Sequence, residues 1–291
     1  MSKDQDRGGF WAAFTAFFIW GIAPLYWKLT QGVPALETVS HRVVWSLLLL
    51  ALIMPRAGGF GVVVRIWREP RLAALLSLTT ALTAVNWLLF VWAIVNGHVL
   101  ESSLGYFIAP LLNVLLASVF LRERLQPWQL LAVALACTGV LWRVWHLGVV
   151  PWISLSLAVT FSVYGLLRKQ APVGALDGLF IETLLGAPFA LAWLAWLGWQ
   201  GNAHFSGIGM MAALAGTGVM TAIPLLLYAI GARRLRYTTL GFIQYIGPSL
   251  QFALAVFVFR ETFDHVALIS FLFIWAGLAV FSLDALRRAH A

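Results

Sequence analysis

The chain alternates long apolar segments with short polar connections. Ten hydrophobic segments cover approximately 9–28, 36–54, 72–95, 100–121, 127–146, 150–168, 177–198, 207–231, 238–259 and 265–285. Because about 20 apolar residues in a helix cross the roughly 30 Å of hydrocarbon in a bilayer, each segment predicts one transmembrane helix. The longest polar stretch, 55–71, predicts a loop, and no connection is long enough for a soluble domain. We therefore predict an all-α integral membrane protein whose function lies within the membrane.

The second half of the chain repeats the first half in altered form. Pro110, Glu123 and Gly139 recur as Pro248, Glu261 and Gly277, each at an offset of 138 residues (248 − 110). Nearer the start, the offset is 141 between Lys28 and Lys169 (169 − 28) and 140 between 35–37 and 175–177 (175 − 35). Each half holds five segments, an odd number, so the second half must enter the membrane from the opposite side. We therefore predict ten transmembrane helices in two inverted five-helix repeats, 1–146 and 147–291, with a central site that opens to each side in turn.

The composition agrees with a membrane protein. Apolar residues make up 62% of the chain, charged residues 10%, and the mean hydropathy is +0.89. A soluble domain carries about 25% charged residues, so this chain has too few to cover a water-exposed surface. The polar residues 1–7 lead directly into a long segment, and we expect no cleaved signal peptide. The single Cys137 excludes an intramolecular disulfide.

Loop charges predict the orientation. With the N-terminus in the cytoplasm, the inner loops contain fifteen Lys and Arg residues, whereas the outer side contains three, Lys28, Arg143 and Arg260. This asymmetry follows the positive-inside rule, so we expect both termini in the cytoplasm. The net charge of +8 then reflects membrane topology, and we expect no nucleic-acid partner.

Repeated and unrepeated strings carry a resemblance to a known family. Ser103-Leu104-Gly105 with Pro110, and Thr239-Leu240-Gly241 with Pro248, resemble the tandem EamA repeat of the drug/metabolite transporter superfamily. The strings at 18–24, 41–42, 86–90 and 244–248 resemble the RarD-type proteins of bacteria. The resemblance covers nearly the whole chain. It implies a ten-helix carrier of the bacterial inner (plasma) membrane, in which the first four helices of each half surround a central cavity.

Three ionisable residues lie within predicted spans. Arg42 lies about six residues into the second segment, His41 precedes it, and Glu182 follows Arg42 by 140 residues (182 − 42). Charged groups in a membrane usually face a cavity or the bundle interior, so we predict that Arg42 and Glu182 line opposite ends of one substrate cavity. Alternatively, each side chain extends to the nearer interface. His41 and Glu182 are candidate proton carriers, although a lone histidine is more often an interfacial or packing residue.

Further residues are candidates for the cavity or for its motion. The cavity candidates are Asn86, Trp87, Trp20, Tyr106, Tyr164, Gln244 and Tyr245. Amides also bridge helices, and aromatic residues also face lipid, so packing is the alternative for each of them. The candidate hinges are Pro110, Pro248, Gly105 and Gly241, because a proline within a helix removes a hydrogen bond and bends the helix. A static bend is the alternative. We interpret Arg122-Glu123 and Arg260-Glu261 as structural caps.

These features favour a secondary transporter for a small metabolite or drug-like molecule, with protons as a candidate coupling ion. A membrane enzyme is one alternative, but the sequence contains no metal-binding or nucleophile motif, so we expect neither catalytic residues nor a cofactor. A passive channel is another alternative, and no charged ring or filter loop supports it. One chain contains both halves, so we expect a monomer or a weak homodimer in the lipid bilayer.

Overall fold

The computed structural model describes residues 3–57, 60–121, 126–204, 207–235 and 243–290, and the regular secondary structure of these residues is entirely helical. The eleven α-helices of this part are α1 Lys3–Leu29, α2 Ala35–Ala57, α3 Gly61–Arg68, α4 Pro70–Val95, α5 Val99–Leu121, α6 Pro127–Leu147, α7 Trp152–Gln170, α8 Ala175–Trp199, α9 Ile208–Arg234, α10 Ile246–Ala253 and α11 His265–His290. A π-helical segment, Leu254–Val258, continues α10. The prediction of an all-helical protein is confirmed.

Eight of these helices are long and apolar enough to cross a membrane. They are α1, α2, α4, α5, α6, α8, α9 and α11. The predicted segments 150–168 and 238–259 correspond to shorter apolar helices, Trp152–Arg168 in α7 and Ile246–Val258 in α10 with its π-helical segment. The residues at the start of the second of these segments lie outside the described residues. The structure therefore confirms a multi-pass helical membrane protein with eight candidate spans.

The prediction that 55–71 is a loop is wrong, because α2 continues to Ala57 and α3 occupies Gly61–Arg68. The short helix α3 is amphipathic. Ile66 is buried among apolar side chains of α2, α4 and α8, whereas Arg65 is exposed and forms an ion pair with Glu69. The apolar residues of α3 are separated by basic residues, so the stretch lacks the continuous hydrophobicity that we used to identify helices in the sequence.

The helices pack as a bundle in which the first half of the chain interleaves with the second. Helix α1 lies against α9 and α10, and α2 lies against α8 and α9. Helix α4 lies against α7 and α8, whereas α5 contacts α7 and α10. Helices α6 and α11 pack extensively on each other. Nearly all major contacts therefore join one of the helices α1 to α6 to one of the helices α7 to α11.

Small residues allow close helix approach. A Cβ atom at Gly139 of α6 would lie 2.7 Å from the Ser270 carbonyl oxygen of α11, and one at Gly277 would lie 2.7 Å from the Ala132 carbonyl oxygen of α6. Large apolar side chains face outward instead, as at Phe189, which is 80% exposed. This arrangement, with small residues between helices and large apolar residues outside, is typical of helices packed in lipid.

Candidate functional site

Arg42 is buried between tryptophan rings in the first half of the chain. Its side chain leaves α2, is 7% exposed, and places Cζ 3.8 Å from the ring centre of Trp87 on α4 and 5.3 Å from that of Trp27 on α1. Within the described part of the chain, Arg42 has no carboxylate within 4.0 Å. Cation–π contact contributes about 2 kcal/mol when desolvated, whereas an arginine at the centre of a spanning helix costs about 2.5–3.5 kcal/mol or more. The two ring contacts together are therefore comparable in size to the cost of burying this charge.

Glu182 is buried in the second half and has a cationic partner. Arg168 Nε of α7 lies 3.5 Å from Glu182 Oε1, and the Tyr164 hydroxyl donates to Glu182 Oε2 at 3.2 Å. Thr79 on α4 lies near this carboxylate, and its hydroxyl donates to the Leu76 carbonyl of its own helix at 3.0 Å. Gly178 has no side chain to occupy the space of the Arg168 guanidinium, because a Cβ atom there would overlap it. The structure therefore pairs Glu182 with Arg168, and not with Arg42.

Asn86 joins three helices. Its Nδ2 donates to the Leu157 carbonyl at 3.2 Å and to Thr160 Oγ1 at 2.8 Å, both on α7. Its Oδ1 accepts a hydrogen bond from the Tyr106 hydroxyl of α5 at 3.2 Å. Both ends of the amide are thus occupied, which favours the packing role that we left open for Asn86.

One buried face of α4 connects the two charged groups. Thr79, Thr83 and Asn86 recur at helical spacing and are all buried. Thr79 lies near Glu182, whereas Trp87 follows Asn86 and contacts Arg42. Tyr106, which donates a hydrogen bond to Asn86, also lies near Arg42. The structure therefore brings six sequence-predicted residues into two groups at the ends of this face: Arg42, Trp87, Asn86 and Tyr106 in one, Glu182 and Tyr164 in the other.

The remaining cavity candidates lie elsewhere. Trp20 packs edge-on against Phe17 and close to Tyr228 of α9, in a separate aromatic group. Tyr245 is half-buried against the main apolar core, and Gln244 before it is also half-buried. The side chain that forms a polar contact between this part of the second half and α1 is Gln251. Its Nε2 donates to the Trp20 carbonyl at 3.2 Å.

His41 occupies the first turns of α2. It is 2% exposed and lies one helical turn after Glu37. The Glu37 carboxylate is fully buried and accepts hydrogen bonds from the backbone N–H and the ring Nδ1 of His204, at 2.8 and 2.7 Å. The start of α2 is therefore fastened to the connection between α8 and α9.

Three of the four hinge candidates, Gly105, Pro110 and Pro248, are buried. Gly105 lets α5 approach α7, since a Cβ atom there would lie 2.7 Å from the Ser154 carbonyl oxygen. The Ser103 hydroxyl donates to the Pro248 carbonyl at 2.9 Å and so joins α5 to α10. Pro110 lies within α5, and Gly241 is outside the described residues. The hinge role remains a prediction, and packing gives Gly105 an independent reason to be glycine.

Sequence reasoning missed two site residues. Arg168 is one of the fifteen Lys and Arg residues that we assigned to the inner loops, and we did not single out Trp27. Both contact a buried charged residue, Glu182 and Arg42 respectively. The sequence repeat could have identified these two residues as equivalent positions of the two halves. Trp27 and Arg168 are separated by the offset of 141 residues (168 − 27) that also relates Lys28 to Lys169.

Comparison with known proteins decides the family. The model of the EamA-like transporter family matches residues 7–145. An uncharacterized transporter of Pseudomonas aeruginosa is 45% identical over 99% of this chain and 97% of its own length. Protein RarD of Salmonella typhi is 44% identical over 98% of each chain. The chain is a RarD-type member of the EamA family.

Two further comparisons place this RarD-type protein among relatives and folds. A chloramphenicol-sensitive protein RarD of Pseudomonas aeruginosa is 33% identical over 91% of this chain and 90% of its own length. A protein of known crystal structure is 22% identical, has a TM-score of 0.62, and aligns over 95% of this chain and 98% of its own. The relatives support a membrane transporter, and the solved structure supports the fold. Within the described residues of this RarD-type chain, no cluster of three or more His, Cys, Asp or Glu residues could hold a metal ion.

Proposed function

We propose that this RarD-type protein is a secondary transporter of the bacterial inner membrane with both termini in the cytoplasm. It moves a small metabolite or drug-like molecule by alternating access between two inverted five-helix halves, 1–146 and 147–291. In this proposal α1, α2, α4, α5 and α6 correspond to α7, α8, α9, α10 and α11. The two shorter apolar helices, α7 and α10, then count as the sixth and ninth spans.

The pattern of helix contacts carries this proposal. Exchanging each helix for its counterpart turns the α1–α9 contact into α7–α4, the α1–α10 contact into α7–α5, and the α2–α9 contact into α8–α4. The contacts α2–α8, α5–α10 and α6–α11 each exchange into themselves. A set of contacts that is unchanged by this exchange is expected for two halves related by a two-fold axis in the membrane plane.

The charged groups support a substrate path between the halves. Arg42 lies about 10 Å along α2 from its predicted outer end, and Glu182 lies about 10 Å along α8 from its predicted inner end, at about 1.5 Å per residue. Both are more than nine-tenths buried and lie against the same polar face of α4. We propose that they line opposite ends of one cavity, with Trp87, Tyr106 and Tyr164 as aromatic walls.

Protons are the coupling ion that we propose. Glu182 is the main candidate carrier, because its carboxylate is buried beside the Tyr164 hydroxyl and Arg168 and can exchange its partner during a cycle. His41 is the second candidate. In liposomes, collapse of an imposed pH gradient should abolish accumulation in the wild type, and uphill accumulation that persists without the gradient would contradict proton coupling.

The test of the carrier proposal is ligand-induced thermal stabilisation followed by counterflow. Purified protein is heated with a panel of metabolites and drugs that includes chloramphenicol, because ligand bound to the folded state raises the apparent Tm. Compounds that stabilise the protein are then tested in liposomes preloaded with unlabelled compound. Saturable uptake of labelled compound supports a carrier. Linear flux without counterflow would favour a channel, and chemical conversion without translocation would favour an enzyme.

A further inference from the structure

Helix α2 presents a row of buried polar atoms that lack hydrogen-bond partners among the described residues. Thr38, Arg42 and Ser46 are spaced four residues apart, so each side chain is rotated by only about 40° from the previous one on the helix surface. The three atoms without partners are Thr38 Oγ1, Arg42 Nε and Ser46 Oγ. Thr38 and Ser46 are fully buried, and Arg42 is 7% exposed. Buried polar groups are normally hydrogen-bonded, so a row of three calls for an explanation.

A fourth donor without a partner belongs to a ring that contacts the same guanidinium. Trp27 is 2% exposed, its ring centre lies 5.3 Å from Arg42 Cζ, and its indole Nε1 has no partner among the described residues. The closer ring, Trp87, lies 3.8 Å from Arg42 Cζ. A guanidinium stacked on a ring uses its face for that contact, and its N–H groups point outward along its edge. The edge of Arg42 is therefore the part that can bind a ligand.

Glu182, the buried carboxylate that we singled out in the sequence, does not neutralise the charge of Arg42. Glu182 is paired with Arg168, at 3.5 Å between Oε1 and Nε. Tyr106 also lies near Arg42, but its neutral hydroxyl donates a hydrogen bond to Asn86 Oδ1 at 3.2 Å and carries no charge to offset that of Arg42. The local surroundings of Arg42 thus offer two aromatic faces and several donors, and its missing complement is an acceptor that carries negative charge.

We propose that Arg42 is the receptor for the carboxylate of an organic monoanion, which names the substrate class and rests on the proposed transport function. The planar guanidinium matches a carboxylate through two parallel hydrogen bonds, and the hydroxyl of either Thr38 or Ser46, each one turn from Arg42 on α2, can donate to one of its oxygens. A carboxylate carries one negative charge, which one arginine neutralises. A phosphate monoester carries about −1.5 to −2 at neutral pH and would leave charge uncompensated.

Matched ligand pairs test the proposal. The apparent Tm of purified protein is measured with benzoate, phenylacetate and indole-3-acetate, each beside its primary amide, which keeps the ring and removes the charge. The variants are Arg42→Gln, Arg42→Lys and, as a control that removes an arginine elsewhere, Arg65→Gln on α3. Arg65 is exposed and paired with Glu69, far along the chain from the row on α2.

We expect at least one carboxylate to stabilise the wild type and the Arg65→Gln control, while its amide does not. Arg42→Gln should weaken the binding of that carboxylate by about tenfold or more, the usual effect of removing a charged hydrogen-bond partner. Arg42→Lys should recover part of the affinity, because an ammonium keeps the charge without the two parallel N–H groups. If Arg42→Gln does not fold, one of the two variants Thr38→Ala and Ser46→Ala should give a smaller loss of affinity for the carboxylate and none for the amide, and unchanged affinity in both would contradict the proposal.

Three outcomes would overturn the proposal: no stabilisation of the wild type by any of the three carboxylates, equal stabilisation by acid and amide, or unchanged carboxylate affinity in Arg42→Gln. Counterflow in liposomes separates this failure from failure of the transport function. Exchange of neutral or cationic compounds without exchange of carboxylates would keep the carrier and reject the carboxylate site. Arg42-dependent binding of a carboxylate without counterflow would keep the site and reject the carrier.

Discussion

Arg168 and Glu182 form an ion pair between α7 and α8, with 3.5 Å between Nε and Oε1. By the offsets of 141 and 140 residues, these positions correspond to Trp27 and Arg42 in the first half. Trp27 and Arg42 also contact each other, with 5.3 Å from Cζ to the ring centre. In the proposed repeat, equivalent positions are therefore in contact in both halves. The first half has a cation–π contact between Arg42 and Trp27, and the second half has an ion pair between Arg168 and Glu182. The two halves share a scaffold and differ in the chemistry that they place on it.

Removing either partner of the Arg168–Glu182 ion pair should lower the stability of the protein, but by different amounts. Arg168→Gln leaves Glu182 unpaired at a site where 3% of its side chain is exposed, whereas Glu182→Gln leaves an arginine whose side chain is 14% exposed and still donates to the Gly174 carbonyl. Breaking a buried pair typically costs about 3 kcal/mol or more. We therefore expect Arg168→Gln to lower the apparent Tm more than Glu182→Gln does.

The double variant is the control for this prediction. Arg168→Gln with Glu182→Gln removes both charges, so it should be more stable than Arg168→Gln alone. Thermal unfolding of the wild type, the two single variants and the double variant, all in one detergent, gives a double-mutant cycle. Additive losses in the double variant would mean that the two side chains do not depend on each other.

Gly178 offers a second way to break the same ion pair. A methyl group at Gly178 would overlap the Arg168 guanidinium, which must then shift from its present position beside Glu182. We expect Gly178→Ala to lower the apparent Tm, against the usual gain of about 1 kcal/mol from replacing a helix glycine by alanine. Gly165→Ala on α7 is the matched control, because nothing lies within 4 Å of a Cβ atom there. A stabilising effect of both substitutions would contradict the packing role of Gly178.

The difference between sequence and structure at this site has a physical cause. Hydropathy identifies a helix by a continuous apolar run, so it predicted the eight long spans and missed α3, in which basic residues interrupt the apolar ones. It also led us to read Arg168 as a cytoplasmic loop charge, because the residue lies near the end of an apolar segment. The burial of Arg168 depends on Gly178 and Glu182 of the next helix, and a single segment carries no information about its neighbour.

Single polar residues were harder to interpret than spans. Arg42 could be predicted as a buried charge from its position alone, whereas its stacking on Trp87 depends on how α2 and α4 pack. Asn86 was a candidate for either a substrate site or a helix bridge. The hydrogen bonds to Thr160 and Tyr106 favour the bridge, and only tertiary structure could provide them.

Glu261 gives a third prediction, because it caps a helix from the other half of the chain. Its two carboxylate oxygens accept hydrogen bonds from the backbone N–H groups of Val99 and Leu100 at the start of α5, each at 2.7 Å. A carboxylate at a helix N-terminus satisfies free N–H groups and interacts favourably with the helix dipole. Glu261→Ala should therefore cost about 1–3 kcal/mol of stability.

Glu101→Ala is the matched control for Glu261→Ala. Glu101 lies in the first turn of the same helix, but its contacts are longer ion pairs with His98 and Arg143, at 3.5 and 3.8 Å. Partly exposed pairs of this kind contribute about 1 kcal/mol or less, so the Tm loss should be the smaller of the two. Equal losses would show that Glu261 acts through its charge alone and not as a cap.

The proposed orientation is tested by cysteine labelling. Asn202 lies in the connection between α8 and α9, which is fastened to the start of α2 through Glu37 and His204, so this side faces the periplasm in our proposal. Gly61 begins α3 on the opposite side. In a Cys137→Ala background, a membrane-impermeant maleimide should label Asn202→Cys in intact spheroplasts and Gly61→Cys only after permeabilisation. The reverse pattern would place the N-terminus outside and would put Arg42, and not Glu182, at the cytoplasmic end of the cavity.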